Sequence, residues 1–121
     1  MIQKPTAVAL DQVEVVPAQE APTGTRIARL VTRAGTGSSV LVGVSWMDPG
    51  EKSARWTVPP DSETEEVYYV IRGRIRVDWD DGDVEAGPDA AVYFPPGFSY
   101  QVTAVSPDPV FLAYTLYPTS R

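Results

Sequence analysis

The sequence predicts an all-β domain, a sandwich or barrel, and three observations carry that expectation. Twelve prolines run from Pro5 to Pro118, and only the stretches 22–49 and 60–88 are long enough for an ordinary helix. Both stretches are instead filled with β-branched and aromatic residues, the types that suit a pleated, half-buried surface. Short apolar runs recur between Gly/Pro turns at regular spacing, as they do in sandwiches and barrels.

Taken in order, Arg26-Ile27-Ala28-Arg29-Leu30-Val31 and Val40-Leu41-Val42-Gly43-Val44 flank Gly35-Thr36-Gly37 and read as a hairpin. Val67-Tyr68-Tyr69-Val70-Ile71 and Ile75-Arg76-Val77-Asp78-Trp79 flank Arg72-Gly73-Arg74 in the same way. Asp81-Gly82 is a short-range hairpin signal. Further strands are expected at Val84-Glu85, Ala91-Val92-Tyr93-Phe94, Tyr100-Gln101-Val102 and Phe111 to Tyr117. Residues 25–118 are read as one barrel domain. Residues 1–24 are read as an arm, either an edge strand over 7–16 or a segment wrapping a neighbour.

Composition removes whole classes of function. The 121 residues include no cysteine and no histidine. Thiolate metal sites, disulfides, cysteine nucleophiles and Ser-His-Asp chemistry are therefore excluded. The net charge is −6 and the basic residues are scattered, which argues against a nucleic-acid partner. The opening Met1-Ile2-Gln3-Lys4-Pro5 leads into no long apolar run, and no run approaches a membrane span. A cytoplasmic protein without a membrane partner is the expectation. There is no phosphate loop, nucleophile elbow or zinc spacing. The run Asp78, Asp80, Asp81, Asp83 lacks calcium-loop spacing, and a turn explains it.

An ordered set of motifs spans residues 40 to 118. It comprises Pro49-Gly50, Glu66, Gly73 seven positions later, Gly87, and Pro95-Pro96-Gly97. This set resembles the two motifs of the cupin superfamily. The resemblance implies a double-stranded β-helix (jelly-roll) barrel. Metal-binding cupins carry histidines where this chain has Trp56, Val58 and Tyr100, and only the motif glutamate remains, as Glu66. One carboxylate and a phenol are a poor set for a transition metal, so no metal and no cofactor are expected. The chain is also similar to ethanolamine-utilisation cupins of the EutQ type. That similarity rests on Trp56, Glu65-Glu66, Ala86-Gly87-Pro88, Pro95-Pro96-Gly97 and Tyr114-Thr115-Leu116-Tyr117-Pro118.

Strand parity puts Glu66, Tyr68 and Val70 on one face and Glu65 and Tyr69 on the other. The resemblance makes the Glu66 face the inner one. A carboxylate in an apolar barrel is expected to have a raised pKa, which suits it to proton transfer. Glu66 is therefore the candidate base, with Tyr100 as hydrogen-bond or proton donor. The competing readings are a relic carboxylate and a core phenol. Trp56, Tyr68, Phe98 and Tyr114 are the candidate substrate-binding residues: Trp56 as a cavity wall, Tyr68 as a second hydroxyl, Phe98 at the mouth beside Phe94, and Tyr114 on the last strand. For each, core packing is the alternative. Arg55 neighbours Trp56 and is expected to face away from the pocket, and Arg72, Arg74 and Arg76 to form a solvated, ion-paired face.

Three functions follow as expectations. The first is a metal-independent acid/base enzyme of isomerase, cyclase, dehydratase or lyase type. The second is a non-catalytic small-molecule binder. The third is an accessory cupin. A homodimer is expected in each case, using Trp46, Trp79, Val8 and Val15.

Overall fold

The computed structural model describes residues 4–18, 24–60 and 63–119. Residues 1–3 and 19–23 of the predicted arm, and Asp61 and Ser62 of the loop before Glu66, lie outside the described residues. Among the described residues, ten strands form two antiparallel sheets. They are β1 (Val16–Pro17), β2 (Arg26–Val31), β3 (Leu41–Met47), β4 (Trp56–Thr57), β5 (Glu65–Arg72), β6 (Ile75–Trp79), β7 (Gly82–Ala86), β8 (Ala91–Phe94), β9 (Ser99–Ala104) and β10 (Val110–Tyr117). The larger sheet has the order β1-β2-β3-β10-β5-β8, and the smaller has β4-β9-β6-β7.

The burial pattern explains why these runs become strands. In β10 the residues alternate, with Val110, Leu112, Tyr114 and Leu116 buried and the intervening ones less so. One face of the strand is thus committed to the interior, as period two requires. The same alternation sends Glu66 and Val70 inward and Glu65, Val67 and Tyr69 outward in β5. Val70, Ile75, Val77, Ala86, Ala104 and Val110 pack one part of the interior solid. Burying an aliphatic side chain of this size is worth about 1.5–3 kcal/mol.

Three connections differ from the sequence expectation. The segment between β2 and β3 is not a bare turn. It is a one-turn helix, α1 (Arg33–Thr36), which Thr32 caps by accepting from the Gly35 N–H and Gly37 ends in the left-handed conformation. Arg72-Gly73-Arg74 does not close a hairpin, because β5 and β6 belong to different sheets and the chain crosses between them there. Gly73 permits the crossing. Its φ is +79°, and a Cβ would sit 2.7 Å from the Pro109 carbonyl oxygen. The edge strand expected over 7–16 is confined to Val16–Pro17, which pairs with β2, after a single 3-10 turn at Leu10–Gln12. The acidic hairpin does form: β6 and β7 pair from Ile75↔Ala86 to Trp79↔Gly82, leaving Asp80-Asp81 as the turn. No helix among the described residues is long and apolar enough to cross a membrane.

Candidate functional site

The rest of the interior is not filled. A cavity of about 100 Å³, partly open to solvent, lies between the sheets beside the solid part of the core. An apolar cavity of about 150 Å³ is enough for benzene, so this one suits a few-carbon molecule. Glu66 and Tyr68 of β5, Tyr100 of β9, Trp56 of β4 and Tyr114 of β10 all line it. Five of the six predicted site residues thus line it, three of the four binding candidates beside the two candidates for acid/base work; only Phe98 is absent. Its ring packs edge-on against Trp79, 5.4 Å between centroids. Phe94 is likewise core, stacked on Tyr100 at 4.1 Å.

Strand register brings the polar groups together. Trp56 pairs with Tyr100 across β4 and β9, so two of the three positions named above for histidine face one cavity, while Val58, the third, is buried outside its lining. Tyr100 donates its hydroxyl proton to Glu66 Oε1 at 2.5 Å. Its oxygen lies 2.8 Å from the Tyr68 hydroxyl, which then donates to it. Glu66 is 4% exposed. Burial pushes the Tyr100 hydroxyl far above the ordinary tyrosine range, and Tyr68 and Glu66 beside it push the same way. Burial also raises Tyr68, with Glu66 adding to the shift and its bond to Tyr100 opposing it. Both tyrosines are therefore neutral hydroxyls at any physiological pH.

Those shifts bear on a metal. A phenol must ionise to be a strong ligand, and both phenols here resist ionisation. No group of three His, Cys, Asp or Glu among the described residues is placed to hold an ion. The donor set does not fit the metal that many cupins bind.

Tyr114 shows how backbone and side chain are matched. It pairs with Gly43 of β3 and with Tyr68 of β5. A Cβ on Gly43 would lie 2.5 Å from Tyr114 Cζ and 2.6 Å from its hydroxyl. The phenol ring therefore crosses the inner face over the place where Gly43 has no side chain.

Arg55 points away from the cavity and pairs with Asp80 at 2.7 Å. Arg74 and Arg76 pair with Glu85 and Asp78. Four polar cavity residues were not singled out by the sequence reading: Thr25, Arg29, Ser45 and Ser53. Parity carried the signal for the first three. Once Ile27 is inward, Thr25 and Arg29 share its face, and Ser45 shares the face of Leu41 and Met47.

A two-sheet barrel with this motif order defines a cupin. The Cupin_2 cupin-domain family matches residues 44–116, and the chain belongs to that family. Comparison with curated proteins gives no match. Among solved structures, the chain is similar to a sugar phosphate isomerase of the cupin superfamily from Silicibacter pomeroyi. The identity is 22% and the TM-score 0.74, covering 94% of this chain and 76% of that one. It is also similar to the polyketide cyclase RemF from Streptomyces resistomycificus, at 15% identity and TM-score 0.76, covering 94% and 80%. A predicted oxalate decarboxylase from Thermotoga maritima matches at 14% identity and TM-score 0.76, covering 93% and 99%. At these identities the likeness establishes the fold.

Proposed function

We propose that this cupin binds a small organic molecule in its barrel and moves a proton on it, with Glu66 as the acid/base group. The observation that carries the proposal is a 4%-exposed carboxylate on the wall of a cavity, held by a chain of two neutral phenols. Ionisable groups are rarely buried without a role. With Glu66 as carboxylate, protons point from Tyr68 to Tyr100 to Glu66. When Glu66 takes a proton from the substrate, the direction can reverse, and the hydroxyl of Tyr68 turns its lone pairs to the chain. The phenols hold and redirect hydrogen bonds without ionising. Isomerisation, cyclisation, dehydration and lyase steps all need this service. The isomerase and cyclase among the structural neighbours are consistent with it.

A second reading is a non-catalytic binder or accessory cupin of the EutQ type. It is favoured by the Tyr100 proton being already held by Glu66. Incubation of the protein with a metabolite extract in deuterated water, read by mass spectrometry, separates the two. Enzyme action gives wild-type-dependent deuterium incorporation or product, lost in Glu66→Gln with the fold intact. Equal turnover by Glu66→Gln refutes the role of Glu66. A ligand recovered unchanged from wild type favours the binder.

A further inference from the structure

The cavity has two chemically different walls. Glu66, Tyr100 and Tyr68 form one, and their polar groups bond to each other. A second stretch of the lining, from β2, β3 and the residue before β2, carries Thr25, Arg29 and Ser45. Thr25 is 7% exposed, and its hydroxyl has no hydrogen-bond partner among the described residues. Ser45 is 8% exposed and lines the cavity beside it. A buried hydroxyl left without a partner costs about 1–3 kcal/mol, so a native interior rarely keeps one idle.

Arg29 completes the wall. Arg26, Arg55, Arg74 and Arg76 each have a carboxylate within 4 Å, and Arg33 donates to the Thr119 carbonyl. Among the described residues neither Arg29 nor Arg72 has such a partner; both are exposed, and only Arg29 of the two lines the cavity, at its rim. Its position is built. Arg29 pairs with Gly43, Gly43 with Tyr114, and Tyr114 with Tyr68, so one row of the sheet runs from the guanidinium to the phenol chain. The β2–β3 register shifts immediately after Arg29, with Leu30 as the extra residue. Bulges of this kind re-aim side chains and gather beside functional sites. Three strand spacings separate Arg29 from β5, about 14 Å between backbones.

Resting on the acid/base reading above, we propose that the ligand is a small organic acid. Its carboxylate docks on Arg29 at the mouth, hydrogen-bonded by Thr25 and Ser45, and its carbon chain extends inward to Glu66. A guanidinium presents paired N–H donors that match a carboxylate. The cation thereby selects the ligand and fixes which carbon reaches the carboxyl group of Glu66.

Calorimetric titration of the full chain with crotonate and crotonamide tests this. The two probes have the same shape and differ in charge. Wild type is expected to bind crotonate roughly tenfold more tightly than crotonamide, a preference that shrinks as salt is raised. Arg29→Gln removes the preference, Thr25→Val weakens binding of both probes, and Arg72→Gln at an exposed position outside the cavity changes nothing. Glu66→Gln keeps the preference. That result separates the ligand class from the proton-transfer reading, which fails or holds on turnover alone. Equal binding of the two probes by wild type, no binding of crotonate, or an unchanged preference in Arg29→Gln overturns the proposal.

Discussion

Replacing Tyr100 with phenylalanine isolates the hydroxyl on which the site turns. The ring stays, stacked on Phe94 at 4.1 Å with 20° between planes, so packing is preserved. Two hydrogen bonds go: the one donated to Glu66 at 2.5 Å and the one shared with Tyr68 at 2.8 Å. A bond to a charged group contributes about 1.5–3 kcal/mol and a neutral one about 0.5–1.5 kcal/mol. Tyr100→Phe should therefore lose about 2–4 kcal/mol of stability. Tyr68→Phe, which removes only the outer link, should lose about 1 kcal/mol. The double variant should lose less than the sum, because both share one bond. Urea unfolding with unchanged m-values measures all three, and a loss of that size moves the midpoint by about 1–3 M. A loss below about 1 kcal/mol for Tyr100→Phe, or strict additivity with Tyr68→Phe, would refute the hydrogen-bonded chain.

Further outcomes follow from the same geometry. The native state holds the protons of Tyr68 and Tyr100 well above the ordinary tyrosine range, while the unfolded chain releases them near pH 10. The unfolded state then binds fewer protons, so stability is full below about pH 10 and falls above it by up to about 1.4 kcal/mol per pH unit for each tyrosine. Urea unfolding across that range should show the slope, and Tyr100→Phe should reduce it by one proton. Gly73→Ala should cost about 1–3 kcal/mol, because φ is +79° and the new Cβ meets the Pro109 carbonyl. Gly43→Ala should cost a similar 1–3 kcal/mol, roughly, and displace the Tyr114 phenol into the cavity, weakening ligand binding. For the expected homodimer, we propose the outer face of β5 and β8, where Val67, Tyr69 and Tyr93 are exposed. Of the residues expected there from sequence, Trp46 and Trp79 pack within the chain against Phe111 and Phe98, while Val15 is exposed. Sedimentation should give twice the chain mass, and Tyr93→Glu should halve it; a monomer in the wild type removes that proposal.

Much of this protein is legible without coordinates. The prolines forbid long helices, and period-two alternation places Glu66, Tyr68 and Val70 on one face whatever the sheet order. The strands 26–31, 75–79 and 91–94 fall where the residue pattern puts them. Local rules suffice there because backbone dihedrals and side-chain parity depend only on neighbours in the chain. The partners are another matter. Glu66 meets Tyr100 across 34 positions, and Arg72-Gly73-Arg74 proves to be a crossing between sheets rather than a hairpin. Phe98 looked poised at the mouth but turns to Trp79, while Thr25, Arg29 and Ser45, silent as a motif, converge on the cavity. Sequence alone determined which face of each strand is apolar and that no histidine or cysteine chemistry is available. Only the tertiary structure decided which faces enclose space and which fill it, because that depends on how distant side chains share one interior volume.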